Sequence, residues 1–213
     1  MTTEMALLTL YAETPVHAGA GESSDLADLP MQREKPSDLP MIQSSAIKNM
    51  LRRLACGRGW DKDLVKAIFG AEGDQSPGGA LFCTDARLLL FPVASLTGVF
   101  AYTTCPFVLY RLQRELKWVE ATAASAKIAN VDVDQGSAHF AANSPVLLGS
   151  QGAAATRIFL HDTPFTRQTT PALKLTALCQ MLGQALFGAP PAGNPPPADP
   201  EAYWRTRLND SLV

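Results

Sequence analysis

The four cysteines of this chain (Cys56, Cys83, Cys105 and Cys179) show no C-x-x-C spacing. Neither a zinc finger nor a dithiol redox pair is indicated. No apolar run approaches the roughly 20 residues of a membrane span. The first apolar stretch, MALLTLY, is short and has no basic residue ahead of it, which argues against a secretory leader. Gly19 and Gly21 resemble a fragment of a phosphate-binding turn, but neither G-x-G-x-x-G nor a Walker pattern is present, and nucleotide hydrolysis is not indicated. No internal repeat is visible. Basic charge is missing from residues 1–32, which hold no Lys or Arg but carry Glu4, Glu13, Glu22, Asp25 and Asp28. A formal net charge of −2 excludes a uniformly basic nucleic-acid binder while leaving room for a local basic face. The expectation is a soluble cytoplasmic protein with reduced thiols and no membrane partner.

What is present is a 213-residue globular composition, 46% hydrophobic and 18% charged, enough for a sizeable core. Residues 5–12 alternate loosely before Pro15 and suggest a first strand. Ile47, Met50, Leu51 and Leu54 fall at i, i+3, i+4 and i+7, the stripe of a buried helix face. Ser44 or Ser45 is placed to cap that helix, and Gly57 and Gly59 to end it. A second short helix, DKDLVKAIFG, closes at Gly70. "GGALFCTDARLLLFPV" suggests one or two strands broken by Pro92, and GVFAYTT another. "CPFVLYRLQRELKWVEA" suggests a helix with Pro106 in its first turn, offering Phe107, Leu109, Tyr110, Leu112 and Leu116 to the core. Phe100, Tyr102 and Phe107 also have the character of base-stacking aromatics, although their apolar neighbours favour burial. Residues 121–155 have weak periodicity and suggest a variable insertion. TRIFLHD suggests a strand, and PALKLTALCQMLGQALFG a helix closed by Gly188. A Pro-rich loop follows at about 189–200. The whole is expected to be one domain, 1–213.

One segment does not fit this economy. "HAGAGESSDLADLPMQREKPSDLP", residues 17–40, is a long polar loop almost at the N-terminus, and loops of that length are usually functional or disordered. It leads into residues 33–66, where Arg33, Lys35, Lys48, Arg52, Arg53, Arg58, Lys62 and Lys66 outnumber four acids. An acidic loop therefore adjoins a basic stretch. Lys48 and Arg52 are four apart, with Arg53 alongside, so a helix presents them together.

Three stretches taken together, TPVHAGAG, DLPMQREK and PMIQSSAIKNMLR, resemble the N-terminal signature of the RAMP superfamily. The particular resemblance is to subunit four, the repeated backbone subunit of type III-B CRISPR Cmr complexes. "TDARLLLFPVASLTGVFAYTTCPFVLYRL" resembles that family's next block, so the likeness spans about half the chain. It implies an α+β fold: a ferredoxin-like, RRM-type palm with long loops and an inserted β-hairpin thumb. It also implies copies stacked head to tail along a guide crRNA, beside other Cmr-type subunits. Target RNA would be cut by a loop aspartate and a divalent metal, Mg²⁺ or Mn²⁺. Carried over by its position before Leu-Pro, that aspartate is Asp28. Members of the family continue to a last strand and a glycine-rich motif that this chain lacks. The expectation is a palm missing its C-terminal part, with residues 208–213 at an open sheet edge that self-associates or stays unordered.

The chemistry attached to these residues has alternatives at this level. Asp28 is the candidate metal ligand and catalytic group, or a turn residue. Asp25 is a second metal contact or a solvated acid. His17 is a general acid or RNA contact, or a strand-exit residue that orders the loop. Lys48, Arg52 and Arg53 meet phosphates without reading sequence, or form a solvated face. Ser44 and Ser45 add phosphate contacts at a helix N-terminus. Gln32 and Arg33 flank the loop and reach the RNA backbone. Three functions follow: a guide-binding subunit that cleaves target RNA as a metal-dependent endoribonuclease; a structural crRNA-binding subunit without activity; or a shortened homologue limiting filament growth.

Overall fold

The structure is a computed structural model of the chain, and it describes residues 4–19, 29–71, 78–120, 128, 132–140, 144, 146–148, 157–168 and 181–183. The fold is α+β. Two compact units are distinguished, one formed by residues 12–88 and the other by residues 1–11 with 89–213.

In the 12–88 unit, β1 (Met41–Ile42) pairs antiparallel with β2 (Ala86–Arg87), Met41 opposite Arg87. Between them lie α1 (Ser44–Gly57) and α2 (Lys62–Phe69), which pack on each other. Asp61 starts α2 by accepting from the N–H groups of Asp63 and Leu64, at 2.9 and 3.0 Å. Gly70 ends it with φ 89°. Residues 79–81 lie on the end of α2, where Ala80 and Leu81 donate to the carbonyls of Ala67 and Ile68 at 2.9 and 2.8 Å. A Cβ at Gly79 would collide with the backbone of Ile68, Phe69 and Gly70, so only glycine fits there.

The buried stripe of α1 is narrower than the sequence suggests. Ile47 and Ala55 are buried and Leu51 half-buried, whereas Met50 and Leu54 are 46% and 52% exposed. The line 47–51–55 runs straight along one side. Met50 and Leu54 lie on one flank of that line, about 60–100° from its centre, and are left exposed.

In the other unit, β3 (Phe91–Ala94) and β4 (Phe100–Thr103) form a hairpin whose turn uses Gly98 and Val99 at φ 75° and 72°. Pro92 does not break this strand: it lies within β3 opposite Tyr102. It is tolerated because, among the described residues, β4 is the strand that ladders with β3 at Pro92, and the link to β6 lies at the far end, at Ala94 and Ser95. A second sheet contains β5 (Ser137–Ala138), β6 (Arg157–Leu160) and β7 (Thr163–Arg167) in the order β5-β7-β6. Ser95 bridges Leu160, linking the hairpin to β6. Ala101, Ala138, Phe140, Val146, Ile158 and Leu160 form the core, with Val93, Leu147 and Phe165 against it. Part of 121–155 thus contributes buried side chains.

Helix α3 (Pro106–Trp118) begins with Pro106 in its first turn, where the missing N–H costs nothing. Val108, Leu109, Leu112 and Leu116 are its buried face. Phe107 and Tyr110, expected in the core, are 54% and 47% exposed, because each lies across the helix from that face. Phe100 and Tyr102 are half-buried and meet edge to face with centroids 5.3 Å apart.

The expected first strand is absent from described residues 4–12, which join no ladder, and Met5, Leu8 and Leu10 are exposed. A tether there is the Tyr11–Tyr102 hydroxyl contact of 3.2 Å. Burial, with that neighbour, pushes the Tyr102 phenol up to about 12. Residues 189–200 and 208–213, the expected loop and sheet edge, lie outside the described residues, as does most of the expected helix before them. Among the described residues, no helix is long and apolar enough to cross a membrane.

Candidate functional site

The long loop is fastened at its base. The His17 ring donates from Nε2 to the carbonyl of Leu29 at 2.7 Å. A carbonyl only accepts, so this bond places the proton of a neutral ring on Nε2 and leaves Nδ1 with its lone pair. The Gln32 backbone N–H donates to the Ala18 carbonyl at 2.7 Å, and Gly19 bridges Met31. The approach is close: a Cβ on Gly19 would stand 2.8 Å from the Leu29 Cβ. That is one physical reason for a glycine at this position.

Gln32 does more than flank the loop. Its Nε2 donates to the Gly19 carbonyl at 2.7 Å, and its Oε1 accepts from the Gln43 N–H at 3.1 Å. Its own carbonyl accepts from Met41 at 3.1 Å. One residue therefore joins the incoming stem, the outgoing stem and the residue that precedes α1. Its carboxamide is largely engaged in these bonds.

Arg33 and Pro40 bridge across a turn in which the Arg33 guanidinium donates to the Asp38 carbonyl at 2.7 Å and lies 3.8 Å from its carboxylate. Ser37 donates to the Glu34 carboxylate at 2.6 Å. Asp38 takes φ 58°, a left-handed conformation that aspartate tolerates better than most residues.

The capping of α1 differs from the serine cap expected. Gln43 precedes the helix without a side-chain cap, and the Asp85 carboxylate accepts from the Ser44 N–H at 2.8 Å. An anion from the chain itself thus sits at this helix N-terminus. Nothing near Ser44 in sequence announces it. The signal would have been an unpaired acid just before β2, whose pairing with β1 delivers it to the helix start.

Lys48 and Arg52 are half-buried and Arg53 is exposed. Lys48 and Arg52 border the buried line of Ile47, Leu51 and Ala55, a position from which long cationic chains commonly cover apolar surface while keeping their charge in water. Ser44 is half-buried and Ser45 exposed. The structure thus brings His17, Gln32, Arg33 and the start of α1 into one hydrogen-bonded arrangement.

Asp28 and Asp25 lie outside the described residues. Among the described residues no group of three or more His, Cys, Asp or Glu is placed to hold a metal ion. His17 and the carbonyls of the loop base do not make a metal site without a carboxylate from the loop.

A family model described as the RAMP superfamily matches residues 9–188. Over 114 residues, 52% of this chain and 39% of the relative, the sequence is 39% identical to the CRISPR system Cmr endoribonuclease Cmr4 of Pyrococcus furiosus (strain ATCC 43587 / DSM 3638 / JCM 8422 / Vc1). The crystal structure of oligomeric Cmr4 from Pyrococcus furiosus superimposes with a TM-score of 0.61 at 24% identity, covering 95% of this chain and 65% of that one. A chain in the cryo-EM structure of the type III-B Cmr-beta bound to cognate target RNA gives a TM-score of 0.52 at 19% identity, covering 71% of this chain and 55% of that one. The chain therefore spans less than two thirds of the length of each of these proteins.

Proposed function

The chain belongs to the RAMP superfamily, and from that premise we propose that it is a backbone subunit of a type III-B CRISPR effector complex. It binds guide crRNA through the cationic side of α1 and cleaves complementary target RNA through the loop that carries Asp28. The proposed whole is a ferredoxin-like palm with an inserted thumb, stacked on further copies and on other Cmr-type subunits. The similarity to a Cmr endoribonuclease supports this reading.

The observation that carries it is Gln32. By bonding Gly19 on one side and Gln43 on the other, it holds the base of an acidic loop against the start of a basic helix. A strand lying on Lys48, Arg52 and Arg53 is then presented to the loop in a defined register. Phosphate contacts of this kind position RNA without reading its sequence, as a protein accepting any guide requires.

In this proposal Asp28 supplies the charge that holds a divalent cation, Mg²⁺ or Mn²⁺. When bound, such a cation stabilises negative charge on the scissile phosphate. The rest falls to the chain. His17, with Nε2 committed to Leu29, offers Nδ1 as the acceptor for a ribose 2′-hydroxyl proton. Ser44 and Ser45, through their hydroxyls because the Ser44 N–H already serves Asp85, and Arg33 are the proposed contacts to the RNA backbone.

Asp28→Asn keeps size and most hydrogen-bonding capacity while removing the charge. In complexes assembled with guide and partner subunits, it is expected to bind target RNA as the parent does and to cleave it on the order of a hundredfold more slowly. EDTA is expected to abolish parental cleavage. Single-turnover cleavage of a labelled complementary RNA at matched occupancy decides the matter: equal rates remove Asp28 from the chemistry, and an inactive parent supports a structural subunit.

A further inference from the structure

The outer face of α3 has a composition that the proposed function does not use. At about 100° per residue, Phe107, Tyr110, Arg111, Arg114, Lys117 and Trp118 fall within an arc of about 120°. The buried Val108, Leu109, Leu112 and Leu116 occupy the opposite side. Phe107, Tyr110 and Trp118 are each about half exposed, at 54%, 47% and 53%. The cations are arranged with the rings. The Arg111 guanidinium lies over Phe107 at 5.1 Å and that of Arg114 over Trp118 at 5.2 Å. Glu115 is the sole acid in the helix and lies beside this arc.

Three large aromatics left in water along one helix face mark an interaction surface. Their interleaving with cations says what kind. The exposed Arg114 guanidinium, stacked on Trp118, keeps its N–H edge for a phosphate, while the ring edge and the second face meet a nucleobase. An acidic polypeptide would answer the three cations but leave the rings unexplained. From Phe107 to Trp118 the helix rises about 16 Å, roughly the length of four or five nucleotides at 3.4 Å per step.

We infer that this face of α3 binds unpaired RNA, holding bases by stacking and phosphates by Arg114 and Lys117. The inference rests on the RNA-binding reading above and adds to it a second surface with a different mode of recognition. Whereas α1 offers cations alone, α3 distinguishes a strand with bases from one without.

The chain has three tryptophans, so Trp60→Phe with Trp204→Phe leaves Trp118 as the sole reporter. Full-length protein is titrated with oligouridine and with an abasic ribose-phosphate strand of equal length. Oligouridine is expected to quench Trp118 and the abasic strand is not. Trp118→Ala should weaken oligouridine binding at least fivefold, the lower end for one stacked base, and Trp118→Phe should restore most of it. Arg114→Ala with Lys117→Ala should lower the slope of log K against log salt by about 1.4, at roughly 0.7 per phosphate. Equal quenching by both strands, or polyglutamate binding more tightly than oligouridine and losing affinity in Trp118→Ala, would overturn the inference. A Lys48→Ala, Arg52→Ala, Arg53→Ala protein run in parallel separates the two ideas. If it alone loses affinity, α3 is not an RNA surface and the α1 reading stands; if the parent binds no RNA, both readings fail.

Discussion

Helices α1 and α3 both display cations, but in different company. On α1, Lys48 and Arg52 lie beside the buried line of Ile47, Leu51 and Ala55, with no aromatic ring on the helix. On α3, two of three cations are stacked on rings. The first arrangement suits a charged backbone of any sequence, and the second suits a strand whose bases are open to stacking. Charge alone is therefore a poor description of either surface. What distinguishes them is the neighbour of each cation.

The comparison breaks if chemistry belongs to either helix, and the most severe test of that is Gln32→Ala. Removing both side-chain bonds loosens the loop base relative to α1, although the backbone bonds of Gln32 to Ala18 and Met41 remain. Cleavage in the assembled complex is expected to fall by up to about a hundredfold, as small misplacements of catalytic groups can cause. Guide binding should hold, because neither helix loses a cation. A parallel loss of binding in a filter assay would mean that the loop itself carries affinity.

Next in size is the triple variant Lys48→Ala, Arg52→Ala, Arg53→Ala. The log K against log salt slope is expected to drop by about 2, at roughly 0.7 per lost phosphate contact. The loss should be equal for oligouridine and an abasic strand. Dependence on bases would erase the distinction between the helices. Gly19→Ala should have a smaller effect, about 1–3 kcal/mol of stability from forcing Leu29 away, read from denaturant midpoints.

The smallest effect concerns the unit that holds α3. The Tyr102 phenol is raised from the ordinary tyrosine value near 10 to about 12. The folded state thus keeps a proton that the unfolded chain releases first. Its contribution is complete below about pH 10 and is lost as pH rises toward 12. Tyr102→Phe should flatten this part of the stability profile, and an unchanged profile would show that Tyr102 does not set it.

Much of this was legible locally. Asp61 and Gly70 bracket α2, and Pro106 starts α3, because caps and φ restrictions act within a few residues. The helix carrying Lys48, Arg52 and Arg53 and the loop before it were also apparent. What escaped depends on partners distant in sequence. Phe107 and Tyr110 look like core residues until the side facing Leu109 and Leu116 is known. β7 contains Pro164 and few alternating apolars, so its strand character comes from pairing with β6. Met5 to Leu10 has strand composition without a ladder among the described residues. Gln32 reads as an RNA contact, and only the folded loop reveals how many of its polar atoms are already used.

The Asp85 bond to Ser44 has a consequence for kinetics. Its partners are separated by 41 residues, and the β1–β2 ladder spans a similar interval. Closing so long an interval costs entropy before any long-range contact repays it, whereas α1 and α2 need only neighbouring residues. The helical hairpin is expected to form early and the α1 start to be capped late, after β2 has docked. Asp85→Ala should then accelerate unfolding while leaving refolding nearly unchanged, a φ-value near zero, and slowed refolding in a stopped-flow chevron would place the cap in the nucleus instead.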